Sequence, residues 1–139
     1  MTYAAGGVQA KPSGLITREA ARDLSSYQYC AMKMDSNGRI DYVDTSSSGV
    51  CHGVLQNDPD AAYEEAEIAT EGTSLLYVNG NSTNISIGDP LGSDSSYYGV
   101  KVESDGDQYF AIAMEASTAD GDLIEVKLLG GPQYLYVAG

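Results

Sequence analysis

The chain has 139 residues, 42% of them hydrophobic and 19% charged, and 7 basic side chains against 20 acidic ones give a formal charge of −13. That length suits one domain, which would bury roughly two-thirds of its surface on folding. The charge argues against a nucleic-acid partner, whose phosphates need Lys and Arg to neutralise them, and no apolar run reaches the ~18 residues of a membrane-spanning helix.

The first fourteen residues, MTYAAGGVQAKPSG, are small and Gly-rich. Residues 1–16 therefore read as an extended N-terminal arm with scattered anchors at Tyr3, Val8, Leu15 and Ile16. Such a segment buries too little to fold alone, so it is either a loose terminus or a strand that pairs with another chain. It lacks the basic-then-apolar pattern of a secretory leader, and with only two cysteines in the chain a reducing cytoplasm is the expected site of synthesis.

Residues 17–24, TREAARDL, predict a short helix capped by Thr17. Residues 27–34 then alternate as a two-faced strand does, Asp35-Ser36-Asn37-Gly38 is a hairpin turn, and residues 39–43 form the return strand. After a polar loop, residues 50–56 predict a strand that ends at the turn Asn57-Asp58-Pro59-Asp60. At most one helical turn is expected after Pro59, followed by separate strands at 67–70 and 73–78 on either side of Gly72.

Asn79-Gly80-Asn81 turns the chain toward a strand at 84–87, and Pro90 marks a strand start or a sheet edge. Tyr97 and Tyr98 lie in a polar loop, strands follow at 100–103 and 109–115, and the last clear strand is 123–129. Beyond a Gly-Pro break, residues 131–139 are an apolar tail carrying Tyr134, Leu135, Tyr136 and Val137, which is expected to dock. Short strands at about 8–12-residue spacing mark an all-β class, a small antiparallel barrel or sandwich filling residues 17–130. The 11 tyrosines fit strand faces and contact surfaces.

Signs of chemistry are few. His52, the single histidine, adjoins Cys51, and neighbours on a strand point to opposite faces, so they cannot act as base and nucleophile. Cys30 and Cys51 are expected as buried thiols, with a bridge between neighbouring strands as the alternative. Asp105-Gly106-Asp107 and Asp120-Gly121-Asp122 lack the spacing of a helix-flanked calcium loop and read as turns. The acidic run around Glu64, Glu65 and Glu67 reads as a solvated face. No catalytic residue, cofactor or metal is expected.

Five segments in order carry a resemblance. They are Ala20-Ala21-Arg22-Asp23-Leu24-Ser25-Ser26-Tyr27-Gln28-Tyr29, Gly53-Val54-Leu55-Gln56-Asn57-Asp58-Pro59, Ile87-Gly88-Asp89-Pro90-Leu91, Ala111-Ile112-Ala113-Met114-Glu115-Ala116 and Gly121-Asp122-Leu123-Ile124-Glu125-Val126. Together they resemble the small β-rich capsid decoration, or cement, proteins of bacteriophages. The resemblance implies a small β-barrel or tulip-like domain that sits as homotrimers at three-fold positions outside a phage head. It implies the major capsid protein as partner, the virion as location and the host cytoplasm as the place of assembly. The long arm and the apolar tail depart from that pattern, and either could make the contacts between trimers.

Docking an arm loses about 1–2 kcal/mol of backbone entropy per residue, and each strand hydrogen bond returns only about 0.5–1.5 kcal/mol. The anchors would have to tip that balance through buried area, at about 25 cal/mol per Å². Deletion of residues 2–14 is accordingly expected to spare the barrel and abolish capsid binding. A competing reading takes Tyr97, Tyr98 and Tyr109 as a stacking platform for a carbohydrate in a small adhesion module.

Overall fold

The computed structural model describes residues 10–44 and 51–136. Within them lie nine strands and no helix: β1 (Pro12–Glu19), β2 (Ala31–Met34), β3 (Ile40–Tyr42), β4 (Gly53–Leu55), β5 (Glu65–Asn79), β6 (Pro90–Ser93), β7 (Gly99–Lys101), β8 (Gln108–Ala113) and β9 (Asp120–Tyr134). Five of them, in the order β5-β7-β6-β8-β9, close into a barrel through a second pairing of β9 with β5. The sheet continues from β5 through β4 and β2 to β3, and β1 also pairs with β5. Every pairing of strands is antiparallel except β5 with β7, which meet in parallel at Val78 and Gly99. The small all-β barrel expected from strand spacing is thus the fold of the chain.

β5 belongs to both halves. Ala69 lies between Leu15 of β1 and Val54 of β4, whereas Val78 lies between Gly99 of β7 and Asp122 of β9. Ala69 packs in the barrel core while Ala66 and Ile68 pack in a second cluster; farther along, Leu76 and Val78 face the barrel core and Tyr77 the second cluster. Barrel-facing positions therefore change from odd to even along a single strand. A pleated strand alternates strictly, so an irregularity must absorb one residue. Gly72, at φ +83°, sits at the change, and the register of β1 against β5 is broken opposite it. The two strands expected at 67–70 and 73–78 are consequently one.

The helix expected over residues 17–24 does not form. Thr17, Arg18 and Glu19 extend β1 opposite Glu67, Ala66 and Glu65, and Ala20 then bridges Ile40 in β3. An eight-residue helix has little stability of its own, and the edge of β5 satisfies this backbone instead. The Ala20–Ile40 bridge draws the ends of the β3-β2-β4-β5-β1 sheet together into a small lobe around Ala20, Leu24, Met32, Ile40, Leu55 and Ile68, all fully buried. β1 starts at Pro12, inside the segment read as an arm, and pairs with its own chain.

Other expected strands are shorter or longer than their sequences suggest. Tyr27 to Cys30 turn, with the Cys30 amide donating to the Tyr27 carbonyl, before β2 begins. The strand expected at 84–87 is reduced to a single bridge between Ile85 and Ser117. Conversely, β9 runs through the expected Gly-Pro break to Tyr134, with Gly130 at φ +82°.

The sheet is covered on both faces. Ala31 and Val54 enter the barrel core while their neighbours Met32 and Leu55 enter the second cluster. The cysteines follow the same division, Cys51 in the barrel core and Cys30 in the second cluster, and both are free thiols. Burial pushes each thiol up to about 12. Because the thiolate is the reactive species, native protein at pH 8 should not react with a disulfide reagent over minutes, whereas guanidinium-unfolded protein should release two equivalents. Rapid labelling of native protein would contradict this packing.

Side-chain amides complete the frame. Asn57 accepts from the Glu67 amide at 2.9 Å and donates to the Glu65 carbonyl at 2.8 Å, which continues the β4 ladder along β5 by one side chain. Gln56 donates to the Val54 carbonyl and to the buried Ser74 hydroxyl. The Gln56-Asn57 pair within the resembling segment 53–59 thus has a structural duty.

Candidate interaction surface

The residues singled out from sequence do not converge on one place. Tyr3, Val8 and Val137 lie outside the described residues. On β1, Leu15 is 56% exposed, while its neighbour Ile16 is half-buried against the second cluster. The tail lies along the start of β8: Tyr134 pairs with Gln108, the Leu135 amide donates to the Asp107 carbonyl, and the Gly106 amide donates to the Leu135 carbonyl. Tyr136, 81% exposed, projects beyond this pairing.

A more organised surface forms where Ala20 meets Ile40. Arg22 grips Asp41 with both arms of its guanidinium, Nε to Oδ1 and Nη2 to Oδ2, each at 2.9 Å. Its Nη1 donates to the Tyr42 hydroxyl, and the group lies 4.8 Å from the Tyr42 ring centroid. The hydrogen bonds to Asp41, and then its charge, raise the Arg22 pKa above its ordinary value. Beside it the Arg39 guanidinium lies 4.5 Å over the Tyr63 ring, with its Nε 3.8 Å from Glu19.

From Tyr42 the aromatics continue inward. Tyr42, Tyr27 and Tyr97 have ring centroids 4.8–5.3 Å apart; Tyr97 meets Tyr98 edge-on, and Tyr98 stacks on Tyr77 at 5.8 Å. Burial raises the phenol pKa of both Tyr97 and Tyr98. These rings spend their faces and edges on one another. Tyr109, on β8 opposite Gln133, is outside the cluster, so Tyr97, Tyr98 and Tyr109 do not make one flat platform for a sugar.

Two turns built alike explain how Tyr97 gets there. In the first, Asp35 Oδ1 accepts from the Asn37 and Arg39 amides, and the Gly38 amide donates to the Asp35 carbonyl. In the second, Asp94 Oδ1 accepts from the Ser96 and Tyr98 amides, and the Tyr97 amide donates to the Asp94 carbonyl. The same hydrogen bonds put Gly38 at φ +76° and Tyr97 at φ +58°. Tyr97 thus occupies a glycine position, which costs an L-residue roughly 1 kcal/mol or more; ring contacts within the cluster offset that strain.

Tyr29 and Tyr63 are the other non-glycine residues at positive φ among those described. Tyr29 packs against the barrel core, but Tyr63, at φ +73°, is 62% exposed. Sequence reasoning passed over both Tyr63 and the joining of Tyr27, Tyr42 and Tyr77. The available signal was the shared Asp-Ser opening of DSNGR at 35–39 and DSSYY at 94–98, which marks Tyr97 as standing in for glycine.

Charge is divided along the chain as well. Lys11, Arg18, Arg22, Lys33 and Arg39 balance Glu19, Asp23, Asp35, Asp41 and Asp44, so residues 1–44 are formally neutral. The other 15 acids face only Lys101 and Lys127, so residues 45–139 carry the entire −13. The Arg–Tyr seam draws on both parts: Arg22, Arg39, Tyr27 and Tyr42 come from the neutral part, whereas Tyr63, Tyr77, Tyr97 and Tyr98 come from the acidic one, with Asp60, Glu64 and Glu65 close to Tyr63 in sequence. Among the described residues no group of three or more His, Cys, Asp or Glu is arranged to hold a metal ion.

No family model and no curated protein matches the chain. Among solved structures it is similar to the head fiber gp8.5 N base of bacteriophage phi29, with a TM-score of 0.59 at 16% identity. The likeness covers 86% of this chain and 97% of that one. It is a likeness of fold, and it extends over both halves of the sheet.

Proposed function

We propose that this protein is a structural component of a phage particle that works by contact and not by catalysis. It binds the outside of the head through the major capsid protein, as a homotrimer at three-fold positions, and so cements the shell. The observation that carries this reading is the near end-to-end fold likeness to the base of a phage head fiber. The five resembling segments between Ala20 and Val126 point the same way. A trimer suits the energetics, because three weak attachments on one body give high avidity.

The test is co-sedimentation of the purified protein with heads, prepared without it, from the phage that encodes it. Saturable binding in multiples of three per three-fold position is expected, together with heads that withstand heat better. No binding to those heads would overturn the proposal. A truncation to probe the arm should stop at residue 9, because the Lys11 amide donates to Thr73 Oγ1, the Thr73 amide donates to the Lys11 carbonyl, and Pro12 pairs with Gly72. Removing residues 2–9 is expected to leave the melting temperature within about 2 °C and to weaken head binding at least tenfold.

A further inference from the structure

β1 is an edge strand whose outer side is open. Where it leaves β5, the Ala20 amide donates to the Glu64 carbonyl, whereas the Ala21 amide donates outward to the Ile40 carbonyl. Successive residues of a strand turn their N–H and C=O to opposite sides. From Leu15 to Glu19 the register against β5 is regular, so Ile16 and Arg18 face β5 while Leu15, Thr17 and Glu19 turn their backbone groups away from it. Among the described residues no strand takes up those groups, since β1 pairs only with β5 and the contact with Ile40 begins at Ala20. Leu15, 56% exposed, lies beside this edge. Such an edge is a template for another strand.

We propose that this edge receives residues 1–9 of a neighbouring copy, each chain giving its N-terminal segment to the next around a closed ring of three. This deepens the homotrimer of the reading above and rests on that part of it. Three observations choose the occupant. The first is reach. Residues 1–9, outside the described residues, span up to about 30 Å when extended, and the open rungs from 15 to 19 need only about 17 Å. The second is direction. Lys11 is tied to Thr73 through both its amide and its carbonyl, so the residue that would close a tight hairpin back onto the same β1 is already spent on β5. The third is charge. Copies at −13 repel one another, and MTYAAGGVQ carries no charged side chain, so it can bridge between bodies that stay apart. Tyr3 and Val8 give it apolar side chains to set against Leu15. Donor segment and acceptor edge are different surfaces, as a three-membered ring requires.

The experiment combines light scattering with amide hydrogen exchange on the full-length protein and on a variant lacking residues 2–9. Both are measured at high protein concentration, because few rungs hold each arm. The full-length protein should scatter as three chains and the truncated variant as one. The Leu15, Thr17 and Glu19 amides should exchange about tenfold or more slowly in the full-length protein than in the variant. The Ala20 amide, bonded to Glu64 within its own chain, is the internal reference and should not change. A synthetic peptide of residues 1–9, added in excess to the truncated variant, should slow the same three amides. A trimer in which they exchange as fast as in the variant would overturn the arm assignment and leave the trimer standing. Slow exchange in a full-length monomer would mean that the segment pairs with its own chain, which also overturns it. A full-length monomer with fast exchange removes both the ring and the trimer. Head binding is read separately, so a protein that forms this ring but does not bind heads keeps the inference and loses the head-binding reading.

Discussion

Gly72→Val should lower stability by about 3 kcal/mol or more, a loss of roughly 10 °C in melting temperature for a chain of this size. Part of the cost is conformational. Gly72 has φ +83°, and an L-residue there loses about 1–2 kcal/mol, more when β-branched. The rest is a collision with main chain. A Cβ on Gly72 would sit 2.5 Å from the Ser13 amide nitrogen and 2.6 Å from the Lys11 carbonyl oxygen. Neither can move without shifting the start of β1 and breaking the Lys11–Thr73 hydrogen bonds. Gly38→Ala is the control. Its φ of +76° is similar, but nothing lies within 4 Å of the new Cβ, so only about 1 kcal/mol should be lost. Equal losses at the two positions, read from urea titrations, would remove the close approach as a cause.

Ile68→Ala and Leu76→Ala should each lose about 2–5 kcal/mol, the range for truncating a fully buried large aliphatic side chain. Both residues have no exposed surface, and they lie eight positions apart on β5 in different apolar clusters. Were the small lobe and the barrel independent, Ile68→Ala would melt the tyrosine cluster first and leave the barrel standing. One strand serves both, so the near-UV signal of the tyrosines and the far-UV signal of the sheet should fall together in either variant. Two separated transitions would mean that the halves fold as independent units.

Parts of this architecture were readable because local chemistry alone decides them. The hairpin around Asp35 to Gly38 is one, since an Asp that accepts two amides and a glycine at positive φ define the turn without help from the rest of the chain. The β-rich class was readable from turn spacing for the same reason. Residues 17–24 were not, because good helix formers there meet an open strand edge that only the folded β5 supplies. The continuity of β5 was hidden too: glycine usually punctuates, and nothing local says that the chain resumes the same strand with its faces exchanged. The seam was least legible. Arg22, Arg39, Tyr42 and Tyr63 are spread over some forty residues, and they meet only because Ala20 bridges Ile40.

The shared strand also bears on how the molecule would carry a load. Ladder hydrogen bonds between antiparallel strands lie across the strand axis, so tension along β5, between its small-lobe end and its barrel end, would strain them in shear. β5 and β9 face each other over nine register positions, from Glu71 opposite Leu129 to Asn79 opposite Asp120. Those rungs would resist together and would not peel one at a time, so a molecule pulled between the two ends of β5 would behave like a lap joint.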